Sequence, residues 1–307
     1  MAQQKGTRMT SDVYQRLQSV IDESTYGGTI GIAARHFQTG EEIELNPDMI
    51  FPTASTFKTV LLYELYRQVD QGKIDPTDRI IIEDRHRVPG SGVIQDLDAG
   101  ASLTIRDVAM LMMVISDNAG TDIIFDLLGK DSIQQAVQDL GMSSTSIPMG
   151  TWGLLCGLQN LDPDDPELTY EKVKALLKGK DAPWDANAFK ETPDNDITTP
   201  RDMILLHVAI ENGEGLSTSA RDGVLDIMKR QKLSERIPAH LPTGVVCAHK
   251  TGSLRGVRND AGIVYAPDGT SYALSIFVKG APDGVAGTRL VADVSKVIYE
   301  HYVGPIA

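Results

Sequence analysis

Near the N-terminus Val13, Leu17, Val20 and Ile21 recur at helical spacing, so residues 11–23 read as an amphipathic helix. The period then changes. Residues 29–37 and 42–45 flank a Thr39-Gly40 turn, the pattern of a β-hairpin. From about residue 52 to 233 helical signals dominate. Phe57, Val60, Leu61, Leu65 and Val69 share one face over residues 55–71. Thr104 and Asp107 make a capping box ahead of Val108, Leu111, Met112 and Ile115. Thr199-Pro200-Arg201-Asp202 places proline at a first helical position, and that helix should stop near Gly213. Strand patterns return at residues 245–251, 261–265 and 271–279, with Pro267-Asp268-Gly269 as a turn. Leu290, Val294, Val297 and Ile298 mark a last amphipathic helix.

Strands at both ends with helices between them predict an α/β (α+β) fold in which one antiparallel sheet is assembled from both termini. The expected division is a discontinuous α/β lobe, residues 1–52 and 240–307, beside an all-α lobe, residues 53–239. A site at their seam is the natural expectation.

Composition narrows the function. A chain of 307 residues at 41% hydrophobic and 23% charged is ordinary for a globular protein of one or two domains. A net charge of −13 argues against nucleic acid or an anionic membrane surface as the main partner. Cys156 and Cys247 stand far apart in apolar surroundings, which predicts two buried free thiols, a single bridge being the alternative. The six histidines show no metal-ligand spacing, so no metal or cofactor is expected. The N-terminal stretch has no apolar signal-peptide core and no segment is long enough to span a bilayer. The chain as given reads as a cytoplasmic monomer, or as a periplasmic or secreted one if a leader was trimmed.

Three short motifs carry the chemistry, in one order: Ser55-Thr56-Phe57-Lys58, Ser116-Asp117-Asn118 and His249-Lys250-Thr251-Gly252. Alone, S-x-x-K is weak, since a chain of this length shows roughly one by chance. The ordered set is specific. Lys58 lies one helical turn beyond Ser55, within reach of its hydroxyl. Gly252, on a strand, lets a substrate backbone approach closely. Asp117 reads as an acceptor for backbone N–H groups in a short loop, and His249 as a residue packed beside its strand.

The set resembles that of the class A β-lactamases and penicillin-binding proteins. Asp194-Asn195-Asp196-Ile197-Thr198-Thr199-Pro200 resembles the end of the family's Ω-loop, and Arg258-Asn259-Asp260 the hairpin after K-T-G. The resemblance implies a β-lactamase/transpeptidase-like fold and an acyl-enzyme on Ser55, with a β-lactam as the small-molecule substrate. It implies catalytic roles for Ser55, Lys58, Ser116 and Lys250, and substrate binding by Asn118, Thr251, Gly252 and Ser253. Ser55 would attack, Lys58 would take its proton, and Ser116 would relay one to the leaving nitrogen. Lys250 would polarise Ser116. Asn118 would bind the substrate's amide, Thr251 its carboxylate, and the Ser55 and Ser253 N–H groups the oxyanion.

The family's E-x-x-L-N glutamate, which activates the deacylating water, is absent. Pro183 occupies its expected slot, with Asn187 in the place of the asparagine; Glu167 partly mimics the motif but lies well upstream, and Asp185 and Glu191 are the candidate substitutes. An enlarged Ω-loop-like insertion at about residues 150–195 holds the excess length, including an expected helix over residues 168–180 and an acidic run at residues 162–167. Trp152 and Trp184 read as its apolar anchors. Arg255 and Arg258 are either carboxylate ligands or exposed hairpin charges. Without the glutamate, a D-Ala-D-Ala carboxypeptidase, a small-ester esterase or a non-turnover β-lactam sensor are the alternatives.

Overall fold

The expected hairpin forms from β1 (Thr29–His36) and β2 (Glu42–Leu45), preceded by α1 (Ala2–Glu23). This is a computed structural model that describes residues 2–179, 181–280 and 283–306, with side chains from Asp12 onward. A short β3 (Phe51–Pro52) leads into α2 (Lys58–Asp70), and a ribbon of β4 (Arg79–Ile81) and β5 (Ser102–Thr104) follows. Then come α3 (Ile105–Val114), α4 (Asn118–Leu128), α5 (Lys130–Asp139), α6 (Thr151–Gly157) and α7 (Tyr170–Gly179). A two-residue β6 (Ile197–Thr198) pairs with β3, and α8 (Pro200–Asn212) and α9 (Thr218–Met228) complete the helical part. The chain closes with β7 (Val246–Leu254), β8 (Val257–Tyr265), β9 (Ser271–Lys279) and α10 (Gly284–Tyr302).

The main sheet is antiparallel in the order β2-β1-β9-β8-β7, so both ends of the chain build it. Strand alternation divides its side chains between two cores. Tyr272, Leu274, Ile276 and Val278 of β9 pack with Val13, Leu17, Val291, Val294 and Ile298 of α1 and α10. Phe277, between Ile276 and Val278, joins Ala261 and Ile263 in the larger core with Phe57 and with Val60 and Leu61 of α2. The helical part thus shares a core with one sheet face, and β7 is left as the edge strand bordering it.

Local signals explain most element ends. The Thr104 hydroxyl caps α3 through the Asp107 N–H, and Asp107 bonds back to Thr104. Thr199 caps α8 likewise, Pro200 starts it, and Gly213 ends it at φ +71°. Three expectations need correction. The span from 71 to 104 is a ribbon and tight turns, because proline and glycine interrupt its apolar residues. The fourth strand of the main sheet, β8, begins at Val257 instead of residue 261. Its polar start, Arg258-Asn259-Asp260, hid it, yet Asn259 and Asp260 are fully buried. In the insertion α7 begins at Tyr170, and the expected end, Lys180, lies outside the described residues. Both cysteines are free, but only Cys156 is buried; Cys247 is partly exposed.

Candidate active site

The approach to Ser55 is fixed from both sides. Pro52 pairs with Ile197, and the Thr53 N–H donates to the Asp196 carbonyl at 2.9 Å. Asn259 Nδ2 donates to the carbonyls of Pro52 and Thr53 at 2.8 and 3.2 Å. Ala54 then adopts φ +46°, a left-handed conformation costly for alanine. The chain enters a 3₁₀ turn over Ala54–Phe57, so α2 starts at Lys58 and not at Ser55 as the periodicity predicts. Ser55 remains partly exposed, whereas Lys58 is wholly buried.

Lys58 Nζ donates to Ser116 O at 2.9 Å, Ser116 Oγ at 3.1 Å and Asn118 Oδ1 at 3.0 Å. Those bonds use all the donors of an ammonium group. Ser116 sits between α3 and α4 at φ +59°. Asp117 caps α4 through the Gly120 N–H at 2.9 Å and also accepts Val93 and Ile94 N–H groups at 2.6 and 2.9 Å. A Cβ on Gly92 would lie 2.2 Å from the Asp117 carboxyl carbon, so this approach requires glycine. Asn118 donates to Ser91 O and Pro89 O at 3.0 and 2.9 Å, tying the 89–94 loop to the motif.

The opposite wall is β7. A Cβ on Gly252 would sit 2.7 Å from Thr53 O and 3.1 Å from Ser55 N, which places this strand directly against the serine turn. Lys250 is fully buried and donates to the Thr251 carbonyl at 2.7 Å. It meets Lys58 through charge rather than a hydrogen bond. Beneath the strand, Arg236 Nη1 donates to Gly252 O at 2.8 Å and Asn259 O at 2.5 Å, and Nη2 donates to Ser253 Oγ. Asp260 accepts the Ile237 N–H at 3.0 Å and pairs with His249 Nδ1 at 2.9 Å. His249 is therefore packed and partnered.

Burial shifts the protonation of these groups. Loss of water pushes the Lys58 ammonium down to about 7, with Asp122 and Asp117 opposing the shift. Burial and the charges of Lys58 and Arg236 hold Lys250 well below the usual lysine range, although Asp260 favours its charge. Burial lowers Arg236 to about 10. The Asp122 carboxyl is raised by burial to about 6, against the pull of its backbone donors and of Lys58.

The enlarged loop leaves and returns through a Ser146–Ile197 bridge with both backbone bonds at 3.0 Å. Asp122 holds the start of α6, accepting the Thr151 N–H and, at 2.8 Å, the Trp152 N–H. Tyr170 Oη donates to Gln95 Oε1 at 3.1 Å. Arg255 donates to Ala182 O and stacks 4.4 Å over Trp184, while Trp152 Nε1 donates to Pro163 O at 3.2 Å. Trp152 packs against the helical core as an apolar anchor, whereas Trp184 is largely exposed beneath Arg255. Arg255 and Arg258 are neither free nor fully exposed, since Arg258 donates to Leu254 O and Val257 O. Glu167 and Asp185 lie exposed on the surface, and Glu191 pairs with Lys279.

Sequence reasoning missed Asp122, Asn259 and Arg236. Asp122 had a readable signal, since it follows Asn118 by one helical turn on the same face. Arg236 had none, being one of several cations (Lys229, Arg230, Lys232) in an unpatterned stretch. Among the described residues no group of three or more His, Cys, Asp and Glu is placed to hold a metal ion.

Residues 12–302 match the profile of the β-lactamase enzyme family. β-Lactamase CARB-3 of Pseudomonas aeruginosa is 30% identical over 259 residues, 83% of this chain and 78% of that protein. The β-lactamase of Streptomyces albus G is 25% identical over 305 residues, 96% of this chain and 86% of that protein. Among solved structures, a β-lactamase from Sphaerobacter thermophilus superposes with a TM-score of 0.78 at 28% identity, covering 96% of this chain and 99% of that one. The structure of PBP-A gives 0.76 at 29% identity, covering 94% and 95%. Fold, motif order and whole-length similarity agree, and the chain belongs to the β-lactamase enzyme family.

Proposed function

We propose that this enzyme opens the β-lactam amide through an acyl-enzyme on Ser55. The observation that carries the reading is Lys58, a buried amine one turn from Ser55 whose donors converge on Ser116 and Asn118. With its proton affinity brought to about 7, Lys58 spends much of its time neutral near neutral pH. A neutral amine has a lone pair in place of one donor, and that lone pair accepts the Ser55 proton as Oγ attacks the carbonyl carbon. As the C–N bond breaks, Ser116 Oγ gives its proton to the leaving nitrogen and is resupplied by Lys58. Lys250 favours the developing negative charge near Ser116. Asn118, Thr251, Gly252 and Ser253 line the substrate's path, with the Ser55 and Ser253 N–H groups facing the oxyanion, a contribution of about 3–4 kcal/mol per donor.

Hydrolysis of the acyl-enzyme is the slower half. Of the acids near the missing glutamate's slot at Pro183, Asp181 and Asp185 are exposed and Glu191 is engaged by Lys279; Glu167, farther upstream, is exposed as well. That observation favours a second reading, a slow β-lactam-acylated penicillin-binding type of enzyme. Mixing the protein with a chromogenic cephalosporin, while following colour and intact mass, separates the two. Continuous colour supports hydrolysis, and one stable adduct supports the second reading. If Ser55→Ala left both signals unchanged, the assignment of the nucleophile would be wrong.

A further inference from the structure

We propose that Asp122 is a positioning residue for acylation, joining the start of the enlarged loop and the Lys58 amine in one electrostatic unit. This rests on the reading of Lys58 as the group that deprotonates Ser55. Asp122 follows Asn118 by one turn of α4, so both side chains lie on one helix face. Asn118 Oδ1 accepts from Lys58 Nζ at 3.0 Å, and the Asp122 carboxylate accepts the first two N–H groups of α6. Gly150 lies against the same carboxylate, where a Cβ would sit 2.7 Å from Oδ1. The loop therefore enters its fold by packing on an acid that Lys58 senses.

The other charged groups do not duplicate this role. Asp117 also faces Lys58 and favours its charge, but its carboxylate holds the N–H groups of Val93, Ile94 and Gly120, so of the two acids only Asp122 also holds the enlarged loop. Lys250 faces Lys58 from β7 and disfavours a second positive charge. Around Asp122 stand Asp126 on α4, Cys156 on α6 and Asp196 at the loop's return. Burial and Asp126 favour the protonated carboxyl of Asp122, whereas the two N–H donors and Lys58 favour the anion, and the Asp122 charge in turn raises Asp196. Burial alone would drive Lys58 fully neutral and make it a weak base. The Asp122 anion offsets part of that loss and keeps the amine basic enough to accept a serine proton. Asp122 exchanges no atom with substrate; it acts through Lys58.

Two measurements on the full chain test this. In the wild-type protein, ¹³C-labelled lysine and aspartate side chains are titrated by NMR. The Lys58 and Asp122 signals should each show both inflections of a coupled pair. Asp122→Asn removes the charge and keeps an oxygen acceptor for one of the two α6 N–H groups, leaving the other opposite its NH2. The acid limb of the acylation rate, followed by stopped flow with a chromogenic cephalosporin, should then move down by roughly one pH unit or more. An unmoved acid limb, or single uncoupled titrations in the wild type, would overturn the proposal. If the variant does not fold, the wild-type titration decides alone. That titration also stands apart from the nucleophile assignment, because coupling is read even if no adduct forms on Ser55.

Discussion

Replacing Asp196 by asparagine should stabilise the protein at neutral pH and do almost nothing in acid. Asp196 closes the enlarged loop, and its carboxyl is wholly buried with neither oxygen in a hydrogen bond. The Met149 N–H lies close enough to favour the anion somewhat but falls short of bonding geometry. Burial, reinforced by Asp122, raises this carboxyl well above its ordinary value of 3.8. The sign follows from linkage. Below about pH 4 the acid is protonated folded and unfolded, so its contribution is intact. As pH rises the unfolded chain ionises first, and stability falls by about 1.4 kcal/mol per pH unit until the folded carboxyl also ionises. By pH 7 the accumulated loss is capped near about 4 kcal/mol. The amide in Asp196→Asn cannot ionise, so the variant should match wild type at pH 4 and exceed it increasingly to pH 7. Urea unfolding at pH 4, 5, 6 and 7 measures this directly. A difference between variant and wild type that does not grow with pH would refute the reasoning, and show that Asp196 is charged and solvated when folded.

The site yields three more predictions. Acylation of wild type should lose rate as pH falls through about 7, because protonated Lys58 has no lone pair for the Ser55 proton; stopped-flow rates from pH 5 to 9 report this. Gly252→Ala drives a Cβ to 2.7 Å from Thr53 O, and the forced shift of β7 from Ser55 should cut acylation by about a hundredfold or more, read by adduct mass against time. Arg236→Ala strands the carbonyls of Gly252 and Asn259 and should cost at least about 2 kcal/mol in urea unfolding, with a weaker KM for carboxylate-bearing substrates.

What could be read in the sequence divides along a physical line. Caps and periodicity placed α3 and α8, because Thr104, Asp107, Thr199 and Pro200 act through bonds within a few residues of their own position. The motif residues were legible as types, since the chemistry proposed for Ser55, Lys58, Ser116 and Lys250 tolerates few substitutes. Long-range polar burial was not legible. Arg258-Asn259-Asp260 looks like a loop until β9 and the Pro52–Thr53 turn supply its partners, as when Val278 N–H donates to Asn259 Oδ1 at 3.3 Å. The 3₁₀ entry to α2 escaped notice because Ala54 gives no hint of a positive φ. Its cause lies in the Thr53–Asp196 and Asn259 bonds.

Charge explains how the two halves of the reaction come to be unequally equipped. Lys58, Lys250 and Arg236 gather at one cleft of a chain whose net charge is −13. Each is kept by internal acceptors: Ser116 and Asn118 for Lys58, Thr251 O for Lys250, and Gly252 O and Asn259 O for Arg236. On the proposed reading this basic cluster favours the oxyanion and the departing nitrogen, which are demands of acylation. Deacylation additionally needs a base to take a proton from water. Asp117 and Asp260 are committed to backbone N–H groups, and Asp122 to the entry of the enlarged loop. The buried acids beside these basic groups are therefore held by the scaffold, while on the proposed reading the neutral Lys58 amine takes the Ser55 proton in the bond-forming step.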